Sequence, residues 1–361
     1  MKIAFFCSSR SIIPPLKTGG IEQPAYYWMR ELARRGHEIT LYAAPGSKIP
    51  GVKIKEISPS LTSARQKYPN LPEGIVNFYD LTALANFFFS GEDRKFDLIQ
   101  FNNYIFYEIL PFTKWTQTPI IIQINYPYGM IYPHIKKSLK QFKNVHYLPM
   151  SNFIKKVMPG LPYLPPLYPV FDFADFPLAR KSGEYLLSIG RICPEKGVDL
   201  AIRVAKKSGK KLVIAGGIKH AYQKEYFDEK IKPLIDGKKI IYLGEVDFKT
   251  KINLYQKALA TLFPIQWDEP FGIILLESMA CGTPVIAFDR AAVREIIKDK
   301  VSGYIVPDGN VEKMARAVKE IGKISRRKVR QYAEDNFSIS DWAKKYENII
   351  YPLILKNKKR K

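Results

Sequence analysis

The sequence predicts an α/β protein built from two doubly wound domains, each around a mostly parallel sheet. At 361 residues, the chain is longer than a single hydrophobic core usually supports. Strand-length apolar runs alternate with helix-length amphipathic patterns in both halves, which is typical of βαβ units. Five prolines fall within Pro159–Pro169, a composition that favours a connection between domains over a packed element.

In the first half, the continuous apolar run Lys2–Cys7 predicts a strand buried in a parallel sheet. A loop, Ser8–Gly20, leads to a helix at Ile21–Arg35, whose apolar residues share one face. Gly36 stands where the C-terminal cap of that helix belongs. Further strands are predicted at His37–Ala43, Phe96–Phe101 and Ile120–Ile124.

The second half repeats this alternation more clearly. Sheets of this kind bind ligands beyond the carboxyl ends of their strands, so we expect a site between the two domains. The predicted strands are Tyr185–Ile189, Lys211–Ala215, Ile240–Leu243, Thr261–Pro264 and Thr283–Phe288. The predicted helices are Val198–Lys207, Phe271–Ala280, Val311–Gly322 and Ile339–Ile354.

Charge is the unusual bulk property: 57 Lys and Arg residues against 34 Asp and Glu give a net charge of +23. Such a field attracts nucleic acid, anionic membranes or phosphorylated substrates, while a solvated basic surface without one partner is the alternative. No helix-turn-helix, zinc-finger or RNP-like pattern accompanies the charge, which argues against nucleic acid. Three scattered cysteines indicate reduced thiols and a cytoplasmic protein. We expect neither a signal peptide nor a membrane span, because the apolar runs are too short.

The segment 263–287 carries two carboxylates, Glu269 and Glu277, eight residues apart around a helix start that Pro270 marks. Eight helical residues rise about 12 Å and turn the side chain by about 80°, so both carboxylates can face one elongated, hydroxyl-rich ligand. An ordinary capped helix with two surface acids is the alternative. The helix N-terminus offers backbone N–H groups suited to a diphosphate at Phe271, Gly272 and Ile273.

This segment resembles the Glu-x7-Glu signature of the retaining glycosyltransferases of family 4. That family has the GT-B architecture, two facing Rossmann-like domains with an inter-domain cleft. The resemblance is dense in the C-terminal half and sparse in the N-terminal half. It continues through Cys-Gly-Thr-Pro-Val-Ile-Ala at 281–287, Gly-Tyr-Ile-Val-Pro at 303–307, Ser-Ile-Gly-Arg-Ile-Cys-Pro-Glu-Lys-Gly at 188–197, Gly-Gly-Ile-Glu at 19–22 and Leu-Ala-Arg-Arg-Gly-His-Glu at 32–38.

The resemblance implies a role for each matching residue. Glu269 would bind hydroxyls of the donor sugar near the reacting carbon, and Glu277 would hold the ribose hydroxyls. Arg191 and Lys196 would bind the diphosphate, where charge-assisted contacts are strong. Alternatively, they are two exposed cations among many.

Three glycine-containing loops complete the implied donor site. Gly19 and Gly20 would let the backbone approach the donor phosphates, where a Cβ would be in the way. Gly216 and Gly217, with Leu243–Val246, would border the base. Simple turns are the alternative for these loops.

The implied activity is transfer of a hexose from a nucleotide diphosphate-sugar with retention of configuration, and UDP-glucose is the leading candidate donor. The nucleotide-sugar is a co-substrate, and no cofactor or metal is expected. The four histidines are scattered and no Cys/His cluster has ligand spacing. We expect an acceptor-side domain at 1–170, with a C-terminal helix at 345–361 packing back on it. Residues 171–344 would form the donor-binding domain.

The sequence departs from the family pattern at the end of the predicted strand Ile120–Ile124. Many relatives carry a histidine there that contacts the reacting sugar, and this chain has Asn125. Asparagine can form hydrogen bonds but gains no charge near neutral pH. The common Asn-Gly-Val-Asp of the linker is also replaced, by Pro169-Val-Phe-Asp172. A catalytically inactive relative that binds nucleotide-sugar or glycan is therefore an alternative to the enzyme.

The stretch Ile109–Phe171 contains seven lysines and no acidic residue. Within it, His134–Lys143 predicts an amphipathic helix with an apolar stripe of Ile135, Leu139 and Phe142. A basic helix of this kind suits an anionic membrane, so we expect a peripheral protein at the inner face of the membrane with a sugar, lipid or lipid-linked acceptor. Packing of the stripe on its own domain is the alternative. The polar face carries Lys136, Lys137, Lys140 and Lys143.

Overall fold

The computed structural model describes residues 1–15, 19–57, 74–102, 106–128, 131–179, 181 and 183–358. They divide into two units: unit 1 comprises Met1–Phe171 and Ile339–Lys361, and unit 2 comprises Asp172–Ser338. Unit 1 is therefore made of two separate pieces of chain. Residues 16–18 of the predicted loop, residues 129 and 130 of the acid-free stretch and residues 359–361 of the predicted C-terminal helix lie outside the described residues.

The described strands of unit 1 form one parallel sheet. They are β1 (Lys2–Phe6), β2 (Glu38–Ala43), β3 (Val52–Glu56), β4 (Leu98–Phe101), β5 (Ile120–Ile124) and β6 (Val145–Pro149). Their order across the sheet is β3-β2-β1-β4-β5-β6, so the direction of winding reverses between β1 and β4. The strands β1, β4 and β5 are almost wholly buried, as expected for strands covered on both faces.

Helices connect these strands. They are α1 (Glu22–Arg34), α2 (Ile75–Phe89), α3 (Phe106–Ile109), α4 (Tyr132–Leu139) and α5 (Asn152–Val157). The helix α1 packs through a buried face that contains Trp28, Met29 and Leu32. An aromatic cluster fills the centre of the unit, where Phe6 stacks on Tyr42 with ring centroids 4.4 Å apart.

Unit 2 repeats the same winding. Its strands are β7 (Tyr185–Ile189), β8 (Leu212–Ala215), β9 (Ile240–Tyr242), β10 (Ala258–Phe263), β11 (Val285–Phe288) and β12 (Gly303–Val306). The parallel order β12-β11-β10-β7-β8-β9 places the reversal between β7 and β10. The predicted pair of doubly wound parallel sheets is confirmed.

The helices of unit 2 are α6 (Val198–Ser208), α7 (Ala221–Tyr226), α8 (Phe248–Lys257), α9 (Ile273–Ala280), α10 (Val293–Ile296), α11 (Val311–Glu320) and α12 (Arg326–Phe337). Two arginines of α12 bind backbone carbonyl groups in the interior. Arg326 donates to Ala179 O, Ala258 O and Gln256 O at 2.8–3.0 Å. Arg330 donates to Phe173 O at 3.0 Å, to Phe176 O at 2.5 Å and to Ala280 O. Burial lowers the pKa of Arg326 to about 10, which leaves it charged at neutral pH.

The chain returns to unit 1 through α13 (Ile339–Lys358), which begins ahead of the expected boundary at residue 345. Trp342 of this helix stacks on Trp28 of α1 with ring centroids 5.1 Å apart. The Tyr346 hydroxyl donates to Gln100 Oε1 in the buried strand β4. Aromatic stacking and a buried hydrogen bond therefore fix α13 to the core of unit 1.

The basic segment differs from its prediction. The helix is α4, Tyr132–Leu139, and not His134–Lys143. Leu139 and Phe142 are buried in unit 1 and Ile135 is half-buried, so the apolar stripe largely packs on its own unit. Tyr132 and Pro133 begin the helix, and the chain leaves helical geometry after Lys140 because Phe142 turns into the core. Lys137, Lys140 and Lys143 are exposed, while Lys136 is half-buried with its Nζ 5.8 Å from the Tyr132 ring. Within the described part of the chain, no helix is both long and apolar enough to cross a bilayer.

An ion-pair cluster joins α13 to the loop after α1. Arg35 donates two hydrogen bonds to the Glu347 carboxylate at 2.6 and 2.9 Å, and His37 Nε2 lies 2.9 Å from the same group. Glu347 is only 13% exposed. The hydrogen bonds from Arg35 and the contact with His37 together lower the pKa of Glu347 to about 2, against the opposing effect of burial. The folded state therefore favours ionised Glu347 more than the unfolded state does.

We predict that acidification weakens unit 1 through Glu347. The contribution is fully present above the ordinary pKa of 4.5 and is lost as the pH falls toward the folded-state value of about 2. Because proton binding is linked to folding, this pKa difference contributes roughly 3 kcal/mol to the free energy of unfolding. Urea unfolding of Glu347→Gln should therefore show reduced stability at neutral pH and a difference from wild type that shrinks below about pH 4.5. Asp341→Asn on the same helix is the control, and an equal loss with that variant would contradict the assignment.

Candidate functional site

The point where the winding of unit 2 reverses brings two loops together, one after β7 and one after β10. Doubly wound sheets bind their ligands at such a reversal. The loops are joined directly, because the backbone N–H of Gln266 donates to Glu195 O at 2.8 Å. Gly197 has a left-handed backbone with φ of +64°, and a Cβ there would lie 2.1 Å from Pro264 O. Only glycine permits this approach.

The two loops carry three of the predicted site residues. Lys196 Nζ contacts the Glu269 carboxylate, and Trp267 Nε1 donates to the same oxygen, Glu269 Oε2, at 3.1 Å. The Lys196 ammonium also lies 5.3 Å from the centre of the Trp267 ring. Arg191 is exposed and lines a small depression together with Lys196, Ser188 and Ile274. The structure therefore places two cations and one carboxylate at the carboxyl edge of the sheet.

The helix after these loops does not start where the sequence predicts. Gly272 caps α9 with a left-handed φ of +87°, and the first helical residue is Ile273. A Cβ at Gly272 would meet the Leu275 and Phe263 side chains at 3.1–3.2 Å. Glu269 therefore precedes the helix, and the rise and rotation calculated for a continuous helix from Glu269 to Glu277 do not apply. The predicted N–H groups lie at Gly272 and Ile273, while Phe271 is buried.

Glu277 lies in α9 and is 3% exposed. Lys251 Nζ lies 2.5 Å from Glu277 Oε1, and the Tyr255 hydroxyl donates to Oε2 at 2.9 Å. Both partners come from α8, one helical turn apart. Burial, and then the charge of Glu277, raise the pKa of Tyr255 well above its ordinary value, so Tyr255 stays a hydrogen-bond donor. Sequence reasoning missed Lys251 and Tyr255. Their i, i+4 spacing was the available signal, and it did not identify their partner.

The loops after β8 and β9 lie beside those after β7 in the sheet. A Cβ on Gly216 would lie 1.7 Å from Gly190 O, so Gly216 packs directly against the loop that carries Arg191. The Tyr242 hydroxyl donates to Gly216 O at 2.9 Å, and Gly216 N donates to Gly244 O at 2.8 Å. Gly217 faces the Glu245 side chain, Val246 is half-buried and Leu243 is exposed. These residues form a continuous edge of unit 2.

Besides the four lysines around α4, three predicted site residues lie in unit 1. A Cβ at Gly19 would lie 2.4 Å from the Pro15 side chain, whereas Gly20 has open space around it. Asn125 follows β5 and is 9% exposed, and its Nδ2 is buried with no hydrogen-bond partner among the described residues. Buried donors of this kind are rare in native structures. In the described ranges, no three His, Cys, Asp or Glu side chains are grouped so as to hold a metal ion.

The two six-stranded doubly wound sheets match those of proteins with the GT-B fold. Residues 171–336, a little under half of the chain, match the sequence model of the family described as glycosyl transferases group 1. An uncharacterized glycosyltransferase of Methanocaldococcus jannaschii is 34% identical over 140 residues, which are 38% of this chain and 35% of that protein. A phosphatidyl-myo-inositol mannosyltransferase of Mycobacterium leprae is 39% identical over 79 residues, which are 22% of this chain and 21% of that protein.

Solved structures show the fold over nearly the whole chain. Sucrose-phosphate synthase from Thermosynechococcus elongatus superposes with a TM-score of 0.81 at 14% identity, covering 99% of this chain and 100% of that one. The Anabaena protein HepE, solved with UDP and glucose, has a TM-score of 0.71 at 16% identity over 96% and 98% of the two chains. By contrast, the two curated relatives above are matched over only 35% and 21% of their own length.

We predict that Gly197→Ala destabilises unit 2 by the backbone strain of a left-handed alanine, about 1–2 kcal/mol, plus about 1–3 kcal/mol for the clash with Pro264 O. Gly209→Ala is the matched control, since Gly209 has a similar φ of +68° and nothing near its Cβ position. Chemical unfolding of both variants should show the larger loss at Gly197. Equal losses would mean that the contact between the loops is not tight.

Proposed function

We propose that the protein is a retaining glycosyltransferase that moves a hexose from a nucleotide diphosphate-sugar to an acceptor hydroxyl, with UDP-glucose as the leading candidate donor. The observation that carries the proposal is the placement of Arg191, Lys196 and Glu269 together at the winding reversal of unit 2. HepE, which shares the fold, was solved with UDP and glucose.

The proposed reaction exchanges one bond at the anomeric carbon. The bond from that carbon to the diphosphate oxygen breaks, and the nucleoside diphosphate leaves with the bonding electron pair. The acceptor oxygen forms a new bond to the carbon on the same face, and its proton passes to the departing diphosphate. Arg191 and Lys196 stabilise the departing diphosphate charge, together with the backbone N–H groups at Gly272 and Ile273. This electrostatic role uses side chains of the protein, so the proposal needs no metal ion. Glu269 would bind the sugar hydroxyls and Glu277 the ribose.

Lys196 contacts Glu269, so a bound diphosphate would compete with that carboxylate for the ammonium. The Lys196 and Glu269 side chains are 21% and 12% exposed. Water can therefore solvate the two groups while the ammonium moves from the carboxylate to the diphosphate. Gly19 and Gly20 would approach the phosphates from unit 1, and Gly216, Gly217 and Val246 would border the base.

The alternative is an inactive relative that binds nucleotide-sugar or glycan, motivated by Asn125. Donor hydrolysis in the absence of acceptor separates it from an enzyme. As for partners, we propose a sugar, lipid or lipid-linked acceptor and a cytoplasmic enzyme that contacts an anionic membrane surface. This contact is supported by the exposed Lys137, Lys140 and Lys143 and by two exposed aromatic residues, Phe89 and Trp115, whose rings lie 4.9 Å apart.

The donor proposal predicts thermal stabilisation by at least one of UDP-, GDP- and ADP-sugars. A ligand at about 100 times its dissociation constant stabilises the folded state by about 2.7 kcal/mol, which moves a melting curve measurably. Glu269→Gln should keep affinity for UDP and lose turnover by about 100-fold or more, because its partner is the sugar. Glu277→Gln should weaken the binding of UDP itself. Equal loss of UDP binding in both variants would contradict the assigned roles.

The membrane proposal predicts binding to anionic vesicles that high salt removes, because each lysine near such a surface contributes about 1 kcal/mol. Changing Lys136, Lys137, Lys140 and Lys143 to Gln should abolish co-sedimentation with anionic vesicles while donor hydrolysis remains. The same change at Lys206, Lys210, Lys211 and Lys238, exposed lysines of unit 2, is the control. Equal pelleting with neutral vesicles, or equal loss in the control, would rule the contact out.

A further inference from the structure

The Glu277 carboxylate has two hydrogen-bond partners within the protein that its proposed role in ribose binding does not by itself require. A lysine and a tyrosine from α8 bind one oxygen each, Lys251 at Oε1 and Tyr255 at Oε2. The Lys251 and Glu277 side chains are 14% and 4% exposed, and Tyr255 is fully buried. This is the more buried of the two lysine–glutamate pairs in the site.

An ionised carboxylate offers about four acceptor positions, two on each oxygen. Lys251 and Tyr255 use one position on each, so one position remains on each oxygen. Two neighbouring acceptor positions of this kind match two neighbouring hydroxyl groups, because each hydroxyl can donate to its own oxygen. The arrangement therefore fits a vicinal diol, provided that Glu277 remains ionised.

Burial opposes ionisation of a carboxylate, and an opposite charge within hydrogen-bond distance restores it. Lys251 supplies that charge and reaches the carboxylate directly. The other titratable or charged groups around this position are Tyr255 from α8, Cys281 next to α9, and Arg326 and Arg330 from α12. The two arginines donate to backbone carbonyls, Arg326 also to Thr283 Oγ1 and Arg330 also to the Glu334 carboxylate. Cys281 and Tyr255 are neutral because burial raises the pKa of each.

We propose that Lys251 is a positioning residue of the nucleotide site, which keeps Glu277 charged and oriented to accept two vicinal hydroxyl groups of the donor ribose. The inference rests on the proposed function, since it assumes that Glu277 binds the ribose of a nucleoside diphosphate. It goes beyond that proposal by assigning to Lys251 a contribution to ribose recognition without contact to the ribose.

The test compares UDP with 2′-deoxy-UDP on the full chain by calorimetry. Wild type should prefer UDP over 2′-deoxy-UDP. Lys251→Met should bind UDP more weakly by about tenfold or more and should lose most of that preference. Glu277→Gln should show the same two changes. Lys251→Arg keeps the positive charge and should retain both the UDP affinity and the preference for UDP over 2′-deoxy-UDP. If GDP or ADP gives the larger melting shift, that nucleotide and its 2′-deoxy form replace the uridine pair.

The second readout is the pH dependence of UDP affinity. This dependence would match that of wild type if Lys251 had a purely structural role. From about pH 6 to 9, the UDP affinity of Lys251→Met should rise relative to that of wild type, because burial opposes the ionised form of a carboxylate that has lost its opposite charge. Lys251→Gln should behave in the same way and replaces Lys251→Met if that variant does not fold. Lys207→Met is the control, since it removes a pair with Glu312 at 2.6 Å between α6 and α11. It should change neither readout.

Retention of the ribose preference in Lys251→Met, or a pH profile parallel to wild type, would overturn the inference. Failure of wild type to bind any of UDP, GDP and ADP would instead contradict the proposed function, so the two failures are distinguishable.

Discussion

Arg326 and Arg330 fix the backbone on which the buried carboxylate network of unit 2 depends. Arg326 donates to carbonyl groups at and just after the C-terminal end of α8, and Arg330 to Ala280 O at the end of α9. Helix C-termini present unpaired carbonyls and a partial negative charge, which buried cations satisfy. Because α8 carries Lys251 and Tyr255 while α9 carries Glu277, the geometry of that network follows from these bonds.

The two lysine–glutamate pairs of unit 2 differ in their surroundings in a way that suits different tasks. Lys196 and Glu269 come from loops, and their side chains are 21% and 12% exposed, somewhat more than those of the other pair. Lys251 and Glu277 come from packed helices and are more buried, where breaking a pair leaves an uncompensated charge. One pair of unit 2 thus lies in loops, and the other lies between two packed helices.

The sequence predicted the double winding, and the structure brings Arg191, Lys196 and Glu269 together because the carboxyl ends of parallel strands meet at one edge of the sheet. It misplaced the start of α9, since the left-handed backbone of Gly272 depends on packing against Phe263 and not on Pro270. The amphipathic pattern around α4 was visible, but periodicity does not tell whether an apolar stripe faces a membrane or the rest of its own unit. Lys251 and Tyr255 were missed because their partner comes from another helix.

Because unit 1 combines Met1–Phe171 with Ile339–Lys361, unit 2 is an insertion within it. During synthesis, all of unit 2 leaves the ribosome before α13 does. Trp28, Arg35 and Gln100 therefore lack their partners Trp342, Glu347 and Tyr346 until α13 emerges. Since domains generally fold as units during translation, unit 2 can complete its core first and the amino-terminal unit completes its core last, in the reverse of their order in the chain.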